Sequence, residues 1–442
     1  ERDSRIEFVL PETGYYAIVA TRFEQAEGTS SGFYALTLRP GGNGRCAALS
    51  CKTMASPERL PGPADLTQSH RRLSWKIELM RSFLKGAHMP IPTEPIGSIP
   101  RPEVLMEARK AYDAGYLSTD KYQALCDEWI EDTIRRFEET GSPVITDGEQ
   151  TKPSFLTYPI HGLENLAPDG VEITFADGHR RQLPRVTYGP FRYRRYADGY
   201  LERALDFAKR PVKQAVISAS ALSLIYPDEE IPEYPRQAFL EDLVTEAATD
   251  IRRCLDKGAH AVQIDFTEGR LAVKLDPTGG LLKEFIRINN RVLAQFSADE
   301  RRKIGVHTCP GGDQDSTHSA DVDYAGLLPD LFELQVGRFY MQLASEKDRR
   351  RVLEIVRRHA DPQQRIFVGV IDPIDTRVES PEEVCERILE AADILGPNIL
   401  GTTDDCGFSP FGDDISTARD IAFAKIRARV EGTRLASEKL RF

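Results

Sequence analysis

One histidine and two cysteines are the residues in this sequence best suited to bind a metal. His307 and Cys309 are two residues apart in a short apolar run, and Cys406 ends another such run much later in the chain. Residues i and i+2 of a strand point to the same face, so one imidazole and one thiol can reach a single metal. One nitrogen and two sulfur ligands suit Zn²⁺. The pattern predicts a zinc site if the fold brings Cys406 alongside, with metal-free buried thiols as the alternative.

A fourth ligand is expected from the sixth predicted strand, residues 331–337. Glu333 and Gln335 share one face of that run. Either of these two residues is a candidate for the fourth ligand. An exchangeable fourth position would make the site catalytic rather than structural.

The fold that must position these residues is predicted from one sequence pattern that repeats after residue 90. Short runs rich in Val and Ile alternate with amphipathic segments, and the runs do not themselves alternate, which is typical of strands buried on both faces. Eight strand–helix units predict an α/β fold, a (β/α)8 TIM barrel, with a doubly wound open sheet as the alternative. The predicted strands are residues 92–98, 143–149, 213–220, 261–267, 303–309, 331–337, 365–372 and 398–406.

The remaining segments are assigned from their composition. Residues 1–40 hold β-type runs broken by Pro11 and Gly14, which predict a short β-rich N-terminal appendage. Residues 41–88 are rich in Pro, Ser, Arg and Lys and are interpreted as a linker with some helix near 73–84. Residues 89–442 are the predicted catalytic barrel. An insertion at 151–210, with a hairpin signal at Asp177 and Gly178, is expected over its active end.

Charge and cysteine content exclude several classes of partner. Asp and Glu number 69 against 58 Lys and Arg, a net charge of -11, and no long basic block is present. Nucleic acid and anionic membranes are therefore not expected as partners. No run of about 18 apolar residues predicts a transmembrane helix. Seven cysteines in 442 residues are sparse and odd in number, which indicates a reducing, cytoplasmic environment.

Polar residues also end the other predicted strands. Active sites of such barrels lie at the carboxyl ends of the strands. Ser98, Glu149 and Asp265 stand at the ends of the first, second and fourth predicted strands. They are expected to surround the same site as the metal ligands, with structural ion pairs as the alternative for the two acids.

Taken in order, these motifs resemble the catalytic barrel of cobalamin-independent methionine synthase, from about residue 90 to residue 435. Five stretches carry the resemblance, and each is similar to one family motif. They are 96–98 (homocysteine-backbone loop), 147–149 (acidic substrate motif), 263–265 (aspartate strand), and 307–309 and 405–407 (zinc motifs).

The resemblance implies a methyltransferase of the 5-methyltetrahydropteroyltriglutamate–homocysteine S-methyltransferase kind. Zinc would hold a homocysteine-like thiol as its thiolate, which would take a methyl group in methionine biosynthesis. By the same resemblance, Glu149 and Asp265 would act as catalytic residues that hold the substrate ammonium. Ser98 and the backbone beside Ile96 would hold its carboxylate, since acids suit a cation and N–H or O–H donors suit an anion.

Some residues depart from the family pattern. The family's zinc-ligand glutamate falls at Gln335, and a histidine of its seventh strand falls at Ile374. An amide binds zinc poorly, so either Glu333 replaces it from the same face of the strand or the fourth position is filled otherwise. Full-length synthases also have a second barrel that helps to hold the folate. The methyl donor is therefore left open between methyl-folate and a corrinoid carrier.

Two alternative functions follow. One is a zinc-dependent alkyltransferase for another thiol, of the coenzyme M and epoxide kind. The other is a zinc-free decarboxylase-like or non-catalytic ligand-binding barrel, which requires the three ligand side chains to lie apart or to point into the core.

Overall fold

The computed structural model describes residues 5–8, 33–40, 47–54 and 91–440. The chain divides into two compact units, Glu1–Ala87 and His88–Phe442. In the first unit, strands β1 (Arg5–Phe8), β2 (Phe33–Pro40) and β3 (Ala47–Met54) form an antiparallel sheet in the order β1-β3-β2.

Strand β3 falls inside the range 41–88 that was predicted as a linker, so this part of the range is a strand, paired with β2 along its length. The sequence AALSCKTM alternates enough for a strand, but the Pro, Ser and basic residues around it dominate the composition of the range. The predicted run at 15–21 and the predicted helix near 73–84 lie outside the described residues.

The second unit alternates strands with helices along most of its length. Its strands are β4 (Leu166–Ala167), β5 (Glu172–Thr174), β6 (Arg180–Gln182), β7 (Arg185–Val186), β8 (Lys213–Ile217), β9 (Ala261–Asp265), β10 (Ile304–Thr308), β11 (Gly312–Asp313), β12 (Ser316–Thr317), β13 (Arg338–Met341), β14 (Arg365–Ile371) and β15 (Leu400–Asp404). Its helices are α1 (Glu103–Asp113), α2 (Thr119–Glu139), α3 (Asp198–Phe207), α4 (Ala219–Ser223), α5 (Arg236–Asp256), α6 (Glu268–Leu275), α7 (Gly280–Leu293), α8 (Ala298–Arg301), α9 (Leu328–Leu331), α10 (Arg349–His359), α11 (Pro381–Leu395) and α12 (Arg419–Lys439). None of these helices has the length and apolar character needed to span a bilayer.

Six strands form one parallel ladder in the order β15-β14-β13-β10-β9-β8. Every residue of β8, β9, β10 and β15 is buried. Burial of both faces explains why these strands do not alternate between apolar and polar residues.

Two shorter segments extend this ladder at its two edges. Thr93 pairs in parallel with Thr402 of β15, and Ile145 pairs in parallel with Val212, next to β8. They correspond to the first and second predicted strands, which are reduced here to single bridges.

The two edge segments also contact each other. The Ile99 amide donates to the Gly148 carbonyl at 3.0 Å, and the Thr146 hydroxyl donates to the Gly97 carbonyl at 2.8 Å. These bonds connect the first segment to the second, so eight parallel segments follow one another around a ring. The predicted (β/α)8 barrel is confirmed, and the open doubly wound sheet is not the fold.

The sixth predicted strand was wrong in position. Residues 331–337 hold the end of α9 and a turn, and the strand of the ladder is β13, Arg338–Met341. Leu334 and Val336 are buried in that turn, which produced the apolar pattern of a strand without the pairing. An apolar run of this length does not by itself distinguish a strand from other buried backbone.

The insertion carries the predicted hairpin, with β5 and β6 paired antiparallel around Asp177 and Gly178. Strands β4 and β7 form a second antiparallel pair outside it. The hairpin tip reaches the loop after β10, where the Ala176 amide donates to the Thr317 carbonyl at 2.9 Å. The insertion thus lies at the carboxyl end of the barrel, called the mouth from here on.

Helix α12 is fastened to the barrel by a buried ion pair. Lys425 Nζ lies 2.8 Å from Glu379 Oε2, with their side chains 0% and 1% exposed, and also donates to the Asp372 carbonyl at 2.9 Å. A buried charge that loses its partner is costly, typically about 3–5 kcal/mol.

We therefore expect Lys425→Met to lower the free energy of unfolding by about 3 kcal/mol, because Glu379 would keep a buried charge. Denaturant unfolding followed by circular dichroism would measure this, with Lys283→Met at an exposed helical position as the control. Adding Glu379→Gln should recover part of the loss. Equal stability of the two lysine variants would contradict the assignment.

Candidate metal centre and substrate cavity

The three predicted soft ligands converge at the mouth. His307 lies in β10, Cys309 follows that strand directly, and Cys406 stands two residues beyond β15. One ligand atom from each lies within 4.8 Å of the other two. His307 and Cys309 are buried, and Cys406 is half-buried. The Cys309 and Cys406 Sγ atoms are 3.2 Å apart. The three side chains do not lie apart, which was one of the two arrangements that the zinc-free alternative required.

The imidazole of His307 is oriented for metal binding. Its Nδ1 lies 3.3 Å from the Tyr340 carbonyl oxygen, a hydrogen bond that requires the proton on Nδ1. Nε2 is buried and has no hydrogen-bond partner among the described residues. Metal-bound histidines typically donate the other ring N–H in this way, which leaves the unprotonated nitrogen for the ion.

The two thiols also fit a cation. The Gly311 amide donates to Cys309 Sγ at 3.4 Å. In the protein alone, the hydrogen bond with Cys309 and then burial raise the pKa of the Cys406 thiol well above its usual range. A coordinated divalent ion has the opposite effect and deprotonates a thiol. An orphaned ring nitrogen beside two sulfurs is a donor set that a metal ion would satisfy.

The predicted fourth ligand, Glu333, does not reach this centre. Glu333 and Gln335 precede β13 and are exposed, so they lie near the amino end of the strand rather than at the mouth. The displacement of the sixth strand is the cause. The residue that follows β13 at the mouth is Gln342, which accepts from Arg270 at 2.8 Å and donates to Ser345 Oγ at 2.7 Å. Among the described residues, three potential metal ligands converge here, namely His307, Cys309 and Cys406.

Two buried carboxylates stand beside the metal ligands. Asp265 ends β9 and lies opposite His307 in the parallel ladder. Burial raises the pKa of Asp265 to about 6, and its Oδ1 accepts from Gln263 Nε2 at 2.7 Å. Glu149 has a left-handed backbone, with φ 55°, and its carboxylate lies 2.9 Å from Lys152 Nζ. The ion-pair alternative is thus present at Glu149, although the residue also lines the cavity described next.

A single small cavity connects the predicted residues. Its volume is about 30 Å³, room for about one water molecule. The sequence-predicted residues that line it are Ile96, Ser98, Glu149, Asp265, His307 and Cys406. Phe155 and Pro410 line it as well and were missed, because an apolar residue after a strand carries no sequence signal for a site.

Close packing around Ser98 explains one glycine of the cysteine motif. A Cβ on Gly407 would lie 2.1 Å from Ser98 Oγ, far inside contact distance. The Ser98 hydroxyl also accepts from the Ser409 amide at 3.2 Å. The loop after β15 thereby fixes the hydroxyl beside the cavity.

Asp405, next to Cys406, has a structural function that the sequence did not predict. Its carboxylate accepts from the amides of Leu343, Ala344 and Ser345, each at 2.8 Å, and from the Ser345 hydroxyl at 2.7 Å. This holds the loop after β13 against the Cys406 segment. The pattern was not visible in sequence because the partners are some sixty residues apart.

The inserted hairpin is clamped across the mouth by Arg181. Its guanidinium donates to both carboxylate oxygens of Asp313, at 2.5 and 3.1 Å, and to Asp413 at 2.9 Å. His179 Nε2 lies 3.0 Å from Asp313 Oδ2. Asp313 belongs to the loop after β10 and Asp413 to the loop after β15, so Arg181 connects the two loops that follow the metal ligands.

Comparison with known proteins agrees with this geometry. The sequence profile described as "Cobalamin-independent synthase, Catalytic domain" matches residues 91–420. A methionine synthase of Sulfurisphaera tokodaii is 23% identical over 352 residues, which cover 79% of this chain and 94% of that protein. A 5-methyltetrahydropteroyltriglutamate–homocysteine methyltransferase of Catharanthus roseus is 23% identical over 342 residues, 76% of this chain and 42% of that protein.

A solved structure shares the fold. The B12-independent methionine synthase from Shewanella sp. W3-18-1, in complex with selenomethionine, matches with a TM-score of 0.63 and 17% identity. The match covers 79% of this chain and 98% of that one. A corrinoid carrier, considered above as a methyl source, is not supported by a family defined as cobalamin-independent. Because the profile covers the barrel almost from end to end, the chain belongs to the cobalamin-independent methionine synthase family through its catalytic domain.

Proposed function

We propose that the protein is a zinc-dependent methyltransferase that moves a methyl group from a methyl-folate to the thiol of homocysteine and yields methionine. The observation that carries this proposal is the convergence of one ring nitrogen and two sulfurs within 4.8 Å, beside two buried carboxylates. Relatives named for this reaction, aligned over 76–79% of the chain, support it.

His307, Cys309 and Cys406 would hold the metal, and their nitrogen and sulfur atoms favour zinc over the hard ions that prefer oxygen. When bound, zinc would lower the pKa of a substrate thiol, so that the nucleophilic thiolate is present at neutral pH. The Tyr340 carbonyl keeps the His307 ring turned toward that site.

The cavity residues would bind the amino-acid part of the substrate. Glu149 and Asp265 provide negative charge for the ammonium, and the Ser98 hydroxyl with the backbone beside Ile96 provides donors for the carboxylate. Holding both groups would fix the sulfur for in-line attack on the methyl carbon. The carbon–sulfur bond forms as the carbon–nitrogen bond of the donor breaks, and the thiol proton is balanced by one taken up on that nitrogen.

The metal assignment predicts about one zinc per chain in protein purified without chelator. We expect His307→Ala to lower zinc affinity at least tenfold, because one of three ligands is lost. Elemental analysis and a competing chromophoric chelator would measure this, with His359→Ala, an exposed histidine on α10, as the control. Equal zinc retention by both variants would contradict the site.

The substrate assignment predicts methionine from homocysteine and methyl-tetrahydrofolate. Asp265→Asn should raise KM for homocysteine about tenfold or more while zinc content stays at one, because a charged hydrogen bond is lost. Glu333→Gln is the matched control, since this exposed acid lies away from the centre. Turnover of 2-mercaptoethanesulfonate instead of homocysteine would favour the alternative alkyltransferase.

Acidity should weaken homocysteine binding. Asp265 has a pKa raised to about 6 by burial, so its carboxylate is ionised above that pH and neutral below it. We expect KM to rise below pH 6 and to level off near the value of the Asp265→Asn variant, because protonation of the carboxylate removes its attraction for the ammonium. Zinc content is measured at each pH, and Asp265→Asn should lack this inflection. An unchanged inflection in that variant would show that another group titrates.

A further inference from the structure

A lysine is buried inside the barrel beneath the substrate cavity. Lys213 opens β8, and its side chain is fully buried. Its Nζ donates to Gln263 Oε1 at 2.7 Å and lies 3.9 Å from the centre of the Tyr340 ring. Lys213 is not among the residues that line the cavity, so it does not touch a substrate there.

Gln263 connects this lysine to the substrate-binding carboxylate. Its Nε2 donates to Asp265 Oδ1 at 2.7 Å, two residues along β9 on the same face. A glutamine amide can flip and exchange its donor and acceptor ends. An ammonium group only donates, so Lys213 requires the amide oxygen to face it and directs the amide N–H toward Asp265. The lysine therefore determines which group Asp265 faces.

On the side away from the cavity, Lys213 is packed against Tyr340. The Tyr340 ring that packs on Nζ donates its hydroxyl to Glu94 Oε2 at 2.6 Å. Glu94 lies 2.8 Å from Arg338 through its other oxygen. The His260 hydrogen bond, followed by the charges of Arg338 and Lys213, keeps the pKa of Glu94 low at about 2 despite burial. Glu94, Tyr340 and Lys213 thus form a charged column inside the barrel, which Gln263 connects to the cavity.

We propose that Lys213 is a positioning residue for substrate recognition. By fixing the Gln263 amide, it holds the Asp265 carboxylate as a hydrogen-bond acceptor in one orientation, in which that carboxylate receives the substrate ammonium. This inference rests on the proposed function, because it assumes an amino-acid thiol. The competing role for Lys213 is that of a counter-charge for Glu94 only.

The test compares binding of homocysteine with binding of 4-mercaptobutyrate, which has the same thiol and carboxylate but no amino group. Zinc-loaded wild-type protein should bind homocysteine more tightly, by isothermal titration. If wild-type protein does not discriminate, the proposed function itself fails. If it does, Lys213→Met should reduce the discrimination about tenfold without changing zinc content or 4-mercaptobutyrate affinity.

A second variant covers the case in which Lys213→Met does not fold. Lys213→Gln keeps a buried hydrogen-bond donor at this position, but its amide also accepts, so the Gln263 amide is no longer fixed in one orientation. It should show the same loss of discrimination in a folded protein. Full discrimination in Lys213→Gln would overturn the proposal.

The double variant Lys213→Met/Glu94→Gln separates positioning from charge balance. If Lys213 only neutralises Glu94, removing both charges should restore both thermal stability and discrimination, and this would overturn the proposal. If Lys213 positions Asp265 through Gln263, stability should recover and discrimination should stay reduced. Lys283→Met, at an exposed site, is the control for the loss of a lysine charge.

Discussion

The site depends on the closure of the parallel ring. His307 and Cys309 come from β10 and Cys406 from the end of β15, and two other strands, β13 and β14, lie between them in the ladder. In an open, flat sheet, two strands separated by two others could not bring these three side chains to one point. The curvature that pairs Thr93 with Thr402 turns the strand ends toward one another, and the 4.8 Å cluster is its result.

The barrel and most of the site could be predicted because their signals are local. Buried parallel strands leave continuous apolar runs, and a His and a Cys two residues apart at a strand end share a face. The prediction of the sixth strand was wrong because its signal is not local. Its first residue is Arg338, whose guanidinium is neutralised inside the protein by Glu94, so the real strand looked polar and the buried turn before it looked like a strand.

The charged column inside the barrel could not be predicted from one sequence. Glu94, Lys213 and Tyr340 belong to three strand positions, separated by more than a hundred residues in the chain, and each alone looks like an ordinary surface or core residue. Only the register of the ladder places them one above another. The same limit applies to Asp405, whose partners lie after a different strand.

The hairpin clamp has a consequence for the metal ligands. Arg181 joins Asp313, in the loop after β10, to Asp413, in the loop after β15. These loops follow Cys309 and Cys406, so the inserted hairpin ties together the two segments that carry the sulfur atoms. A residue outside the cavity thus supports the spacing of the two sulfurs, and the insertion belongs to the framework of the metal centre.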